Sequence, residues 1–323
     1  MAKDANMYVD RAGDTSQRCG NAPAFPLPDD FTESENPPIP LSFKDLAARL
    51  EAKGFSGDRD VAEFLLGRIS YKTLLQYCLL VETDAEAERC VKNAHILLDF
   101  DRALQALFMK WIGAFELQFR AQYSNAMASE HGAFSHRVKG NFVDENHFHD
   151  FLSNYSRELE YKMSARADIR STCEAFGDLP IWQAVEILPF GTLSKMYRNT
   201  RSKAVRFAVS DSFGIEYATL SSWMRTVSEV RNRCAHFSSL LCKPIVCKPR
   251  KLESVDADNG SAFFFAVMLK VLSECDRPYE DLRGLYDIWF IDDLMSIADK
   301  YDPSVLRIAG FPENYRDMLL KVR

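Results

Sequence analysis

Apolar positions recur three and four residues apart along almost the whole chain from Phe43 onward, and strand-like alternation is scarce. The longest predicted helix runs from His95 to about Ser129. There Leu98, Leu104, Leu107, Phe108, Trp111, Ile112, Phe115 and Phe119 supply one broad buried face. Within it Glu116 and Arg120 lie one turn apart, acid first, the favourable order for an ion pair on a helix. Gly132, Gly140, Asn141, Asp144 and Asn146 mark a loop, and helical spacing resumes near Phe151. Pro189-Phe190-Gly191 breaks the chain again, and Ser210–Gly214 marks another turn. A further amphipathic helix buries Tyr217, Leu220, Trp223, Met224, Val227 and Val230. The run Ala262–Leu269 is apolar on every side, and helical spacing returns around Tyr286–Ile297. The pattern predicts an all-α fold without internal repeats of 20–50 residues.

The first 40 residues break this pattern. Pro23, Pro26, Pro28, Pro37, Pro38 and Pro40 interrupt a polar, small-residue stretch that has little apolar area to bury, so a flexible arm is expected over 1–40. A helical domain is expected over 41–250, and a C-terminal helical extension packed on the same core over 251–323. At 323 residues, 47% hydrophobic and 27% charged, the chain has the composition of a globular protein with a sizeable core. No apolar run approaches the ~20 residues that span a bilayer, and no basic-then-apolar leader opens the chain. The eight cysteines are irregularly spaced, and Cys78 and Cys234 fall in apolar stripes. They are expected to be reduced thiols in a cytoplasmic protein with no membrane contact.

Charge is distributed unevenly, which narrows the partners. The whole chain carries −6, yet residues 191–251 hold 12 Lys/Arg against Asp211, Glu216 and Glu229, a net +9 that leaves −15 for the rest. Such a local field attracts a phosphate backbone, while the acidic remainder discourages indiscriminate binding. Lys195, Arg198, Arg201, Lys203, Arg206, Arg225 and Arg233 are the candidate RNA contacts. A solvated basic face would read the same way in sequence.

Inside that block lies Val230-Arg231-Asn232-Arg233-Cys234-Ala235-His236, at the end of the helix that begins near Tyr217. Histidine side chains titrate near neutral pH and can move the proton of a ribose 2′-hydroxyl. A guanidinium can stabilise charge building on phosphate oxygens, and an Asn can hold either group in place. Arg231, Asn232 and His236 are therefore the candidate catalytic set. A salt-bridged Arg followed by a His at a helix end would give the same spelling. Residues five apart on an ideal helix are rotated by ~140° and separated by ~7.5 Å along the axis. Arg231 and His236 of one straight helix thus diverge, and convergence on one phosphate requires a break near His236 or a second copy of the chain.

The segment 231–236 resembles the Arg-Asn-x-Cys-Ala-His signature of the Abi-like (abortive infection) family, in the HEPN ribonuclease superfamily. Further segments resemble the family in order: Leu41–Leu46 with Lys53-Gly54-Phe55, Ile69–Tyr77, Phe115–Arg120, Leu179–Trp182 through Glu186 to Phe190–Leu193, and Gly310–Tyr315. Together they span about residues 40–320. The sequence departs from the pattern at Tyr71-Lys72, where two tyrosines are usual, and at Phe237, where a second His or a polar residue is common. The resemblance implies a HEPN-type helical bundle with added N- and C-terminal helices. It also implies metal-independent endoribonuclease activity in antiviral or toxin-type defence, without a cofactor. His236 would be the acid/base, Arg231 the phosphate stabiliser, and Asn232 the residue orienting the phosphate or His236. It further implies a homodimer, RNA as substrate, and an antitoxin protein or structured small RNA as regulator. The alternative is a non-catalytic RNA-binding scaffold that uses the same basic surface.

Two other clusters are weaker. Asp144–Asp150 carries two His and three carboxylates and reads as an acidic surface loop; Cys242 and Cys247 beside Cys234 and His236 have a separation unusual for zinc. No metal site is expected.

Overall fold

The three-and-four spacing is realised as helices, and no strand occurs among the described residues; an isolated antiparallel bridge joins Phe142 and Thr200. The computed structural model describes residues 41–55, 57, 59–81, 88–252, 254–274 and 290–322. The proline-rich arm expected at 1–40 lies outside these residues. The helices are α1 (Phe43–Ala52), α2 (Arg59–Leu66), α3 (Tyr71–Val81), α4 (Val91–His131), α5 (Glu145–Ala165), α6 (Ala167–Phe176), α7 (Ile181–Ile187), α8 (Phe190–Asn199), α9 (Lys203–Ser212) and α10 (Tyr217–Ala235). After a non-helical stretch come α11 (Ala262–Glu274), α12 (Phe290–Ala298), α13 (Pro303–Ile308) and α14 (Tyr315–Lys321).

The 41-residue α4 is the spine, about 60 Å long at 1.5 Å per residue. Its apolar positions are too broad for one neighbour, and α3, α7, α9, α10, α11 and α12 all pack against it. Where α4, α8 and α9 meet, aromatic rings fill the interior: Phe115 lies 5.2 Å from Phe213 and Phe119 lies 5.2 Å from Tyr197, both edge to face. The helix α11, apolar all round in sequence, is buried all round in the fold, from Ala262 through Leu269.

Helix ends follow the capping residues. Ser42 and Asp45 form a reciprocal capping box at α1. The Asp144 carboxylate accepts the His147 N–H at 2.8 Å, and Ser202 caps α9 in the same manner. This corrects the loop expected through Asn146: residues 145–150 are the first turns of α5, and the acidic stretch is a helix start, with Asp144 as its cap. Pro189 precedes α8, as the break there predicts, whereas α9 runs on to Ser212 before Gly214 turns the chain at φ +61°. The helix expected around 286–297 is described from Phe290. No helix among the described residues is long and apolar enough to cross a membrane.

Candidate functional site

The last turn of α10 is where the motif stands. Leu220, Trp223, Met224, Val227, Val230 and Cys234 are all buried, so the apolar stripe continues into the final turn and turns Asn232, Ala235 and His236 outward. The His236 N–H still bonds the Asn232 carbonyl at 3.0 Å, which keeps the His236 Cα on the helical path. The helix then closes by the Schellman pattern: the Ser238 N–H bonds the Arg233 carbonyl at 2.8 Å and the Phe237 N–H bonds that of Cys234 at 3.2 Å. Phe237 takes the left-handed position at φ +52°, where glycine is usual; it is the only non-glycine residue at positive φ among those described. An L side chain there costs about 1–2 kcal/mol.

Two carboxylates on other turns hold this end in place. Asp101 on α4, wholly buried, accepts from the Tyr77 hydroxyl, from Gln105 Nε2 at 3.2 Å, from Ser239 Oγ at 2.6 Å and from the Leu240 N–H at 3.1 Å. Burial, then the neighbouring Asp101 charge, pushes the Tyr77 phenol well up, so it stays a donor. Gln105 also donates to the Ser238 carbonyl at 3.2 Å. The chain leaving His236 is thereby pinned to the spine.

Glu116, also on α4, serves two arginines. One oxygen pairs with Arg120, whose guanidinium also donates to the Val185 and Leu188 carbonyls; the other lies 4.0 Å from Arg231 Nε. Glu116 and Arg120 are nearly buried (15% and 8% of their side chains exposed), while Arg231 is 38% exposed. Arg231 thus faces a nearly buried carboxylate at the limit of an ion pair, with much of its side chain exposed. Its Nη1 lies 3.4 Å from Asn232 Oδ1. The sequence shows Glu116 as a partner of Arg120; that it also reaches Arg231, 115 positions on, needs the packing of α4 against α10.

The structure therefore brings Arg231, Asn232 and Glu116 together. The exposed His236 ring makes no hydrogen bond or ion pair among the described residues, and none of these ties it to Arg231. α10 ends at Ala235 and His236 is its cap (φ −102°, ψ 12°), but the His236 N–H keeps a helical bond, and on an ideal helical path Arg231 and His236 lie ~140° apart.

Of the candidate RNA contacts, Lys195 and Lys203 are exposed, and Arg198 and Arg225 lie near each other where α8 packs on α10. Burial, and next the Arg225 charge, lowers the Arg198 guanidinium below its usual range. Gly191 allows the close approach of these helices, since a Cβ there would meet Ser228 Oγ at 3.0 Å. Three other arginines have structural partners. Arg201 donates to the Gly140 and Phe142 carbonyls at 3.0 and 2.7 Å. Arg206 donates to the Thr200 carbonyl and lies over the Tyr217 ring. Arg233 pairs with Glu229 and donates to the Lys243 and Pro244 carbonyls at 2.9 and 2.7 Å.

That last group belongs to a feature with no sequence signal. Residues 243–250 run back along α10, one contact after another. Glu229 accepts the Val246 and Cys247 N–H groups, Thr226 Oγ1 donates to the Cys247 carbonyl at 2.6 Å, and Trp223 Nε1 donates to the Arg250 carbonyl at 3.0 Å. Cys242 is half-buried and Cys234 buried, and burial raises both thiols to about 12. Among the described residues no group of three or more His, Cys, Asp or Glu gathers as a metal site.

A family model described as Abi-like protein matches residues 64–241, from α2 through the pinned turn after His236. The chain belongs to the Abi-like protein family. Membership suggests a role in abortive-infection defence and is compatible with nuclease activity. The matched span holds Asp101, Glu116, Arg231, Asn232 and His236; the likenesses noted at 41–55 and 310–315 lie outside it. No curated protein and no solved structure matches the chain.

Proposed function

We propose that this Abi-like protein is a metal-independent endoribonuclease of the HEPN type, acting in abortive-infection or toxin-type antiviral defence in the cytoplasm. The observation that carries the reading is Arg231: a half-exposed guanidinium anchored on one side by nearly buried Glu116, on the same helix end as an exposed histidine. A cation held from behind is preorganised for charge that develops in front of it. His236, as base, takes the 2′-hydroxyl proton; the 2′-oxygen attacks phosphorus, the bond to the 5′-oxygen breaks, and a proton is delivered to that leaving oxygen. Arg231 offsets the charge on the phosphate oxygens, and Asn232 orients Arg231 or the phosphate. The nucleophile is a hydroxyl that DNA lacks, so the substrate is RNA. The divergence of Arg231 and His236 within one chain is answered by a homodimer that juxtaposes the α10 ends of two copies across a two-fold axis. An antitoxin protein or a structured small RNA would keep so harmful an activity in check.

The test is cleavage of a labelled RNA in excess EDTA, with end-group analysis, for wild type, Arg231→Ala, His236→Ala and a mixture of the two variants. Expected are 2′,3′-cyclic phosphate or 3′-phosphate ends with 5′-hydroxyls, loss of cleavage in each variant, and partial recovery on mixing. RNA binding without turnover by the wild type would favour the scaffold reading, and 5′-phosphate ends or strict magnesium dependence would overturn the mechanism.

A further inference from the structure

We infer that Phe237 is a nucleobase-stacking residue of the substrate site, holding the base next to the cleaved phosphate with Arg102 beside it. The inference rests on the ribonuclease reading and adds a residue to it. Folding gives no reason for a phenylalanine here. Its backbone is left-handed at φ +52°, a position that closes the helix by the pattern glycine usually supplies. Its side chain is 73% exposed and joins no part of the apolar core. Among the described residues its ring meets Arg102 on α4, whose guanidinium carbon lies 5.8 Å from the ring centroid. A strained backbone and a solvent-facing ring at one position point to a ligand-facing task.

The surroundings decide which ligand. Phe237 directly follows His236, and its neighbours Ala235, Ser238 and Ser239 are small. The loop is pinned through Ser238 and Leu240 to Gln105 and Asp101, so the ring is presented from a fixed base. An exposed aromatic flanked in sequence by small and polar residues, with the Arg102 guanidinium beside it, suits a base attached to a phosphate. Single-stranded RNA is held in this way, with unstacked bases lying on aromatic rings and cations meeting the backbone. A contact between protein copies would call for further apolar residues around the ring.

The probe is a fluorescein-labelled, fully 2′-O-methylated single-stranded RNA of about 12 nucleotides and mixed sequence, which cannot be cleaved; binding is read by anisotropy. Phe237→Gly is expected to weaken binding by roughly 5- to 150-fold, the range for one stacked base, without lowering the melting temperature. Phe237→Leu, which keeps an apolar side chain without a ring, should lose a comparable amount, and Phe237→Trp should stay within about threefold of wild type. Wild-type affinity in both Phe237→Gly and Phe237→Leu would overturn the stacking role while leaving the ribonuclease reading intact. Weakened binding accompanied by dissociation of a dimer in light scattering would reassign the ring to a contact between copies and overturn it as well. A wild-type protein that neither binds this probe nor cleaves unmodified RNA would sink both readings.

Discussion

Replacing Asp101 with alanine tests whether the position of His236 depends on the spine. The side chain is wholly buried and accepts from Tyr77, Gln105, Ser239 and Leu240. All are neutral donors, so its removal leaves no buried countercharge behind; the loss is that of stranded N–H and O–H groups. Ser239 and Gln105 are near enough to the surface or to other acceptors to recover. The Tyr77 hydroxyl and the Leu240 N–H are buried and are left unpaired. At about 1–3 kcal/mol for each stranded donor, Asp101→Ala should lose roughly 2–6 kcal/mol. For a body of this size that corresponds to a fall of roughly 5–20 °C in melting temperature. Asp101→Asn keeps the shape and one acceptor oxygen and should lose about half as much.

The functional consequence separates this network from an ordinary core contact. In Asp101→Asn the fold persists, but the turn after His236 loses its fixed attachment, so RNA cleavage should fall by more than the remaining folded fraction explains. Circular dichroism melts and cleavage rates measured on the same preparations make the comparison. A melting temperature for Asp101→Ala within about 1 °C of wild type would refute the reasoning, since two buried donors would then be stranded without penalty.

Two further outcomes are expected. His136 is buried between Phe151 and Tyr155, and burial outweighs the nearby Asp178 charge to lower its pKa to about 4. Its neutral form is the one the fold accepts, so this contribution is complete above pH ~6.5 and is lost as pH falls towards 4, on the order of 3 kcal/mol in all; urea titrations across that window should show the loss, and His136→Phe should flatten it, whereas parallel curves for the two proteins would exclude His136 as the source. Exchanging Lys195 and Lys203 together for Glu should reduce the salt slope of RNA binding by roughly 0.7–0.9 per phosphate contact with an unchanged melt, whereas Arg201→Ala should lower the melting temperature because its guanidinium ties down the 140–142 turn; an unchanged slope would show that the two lysines only face solvent.

The all-helical class and the closing position of Arg231–His236 on α10 were legible because both rest on local periodicity, which Leu220, Trp223, Val227 and Val230 carry plainly. The Glu116–Arg120 pair was legible for the same reason, being one turn apart. The start of α5 was misread because its first turns are polar: with Asp144 as cap and His147 and His149 outward, apolar spacing is thin until Phe151. Arg233 shows a different limit. Its pairing with Glu229 has the same one-turn, acid-first spacing as Glu116–Arg120, but that pair alone would still leave most of its guanidinium open to a phosphate. Its partners, the Lys243 and Pro244 carbonyls, come from a stretch without periodicity whose course along α10 is set by side-chain-to-backbone bonds.

The contrast between these two arginines shows where chemistry can be placed on this fold. Arg231 and Arg233 share a helix turn and a positive neighbourhood. Arg233 faces the returning chain, where carboxylate and carbonyl oxygens engage its guanidinium and leave it 13% exposed. Arg231 faces away from that chain, has one carboxylate at the edge of contact, and is 38% exposed. Positive charge counted along the sequence treats the two alike. What distinguishes them is how many donor directions the protein has already filled, and a guanidinium with vacant directions and a fixed base is the one able to meet a phosphate. Applied to six of the basic residues, that criterion puts Arg201, Arg206 and Arg233 in the framework and, under the proposed function, leaves Lys195, Lys203 and Arg231 for the ligand. Under the proposed function, the RNA path would run over α8, the start of α9 and the outer face of α10, ending at His236 and Phe237.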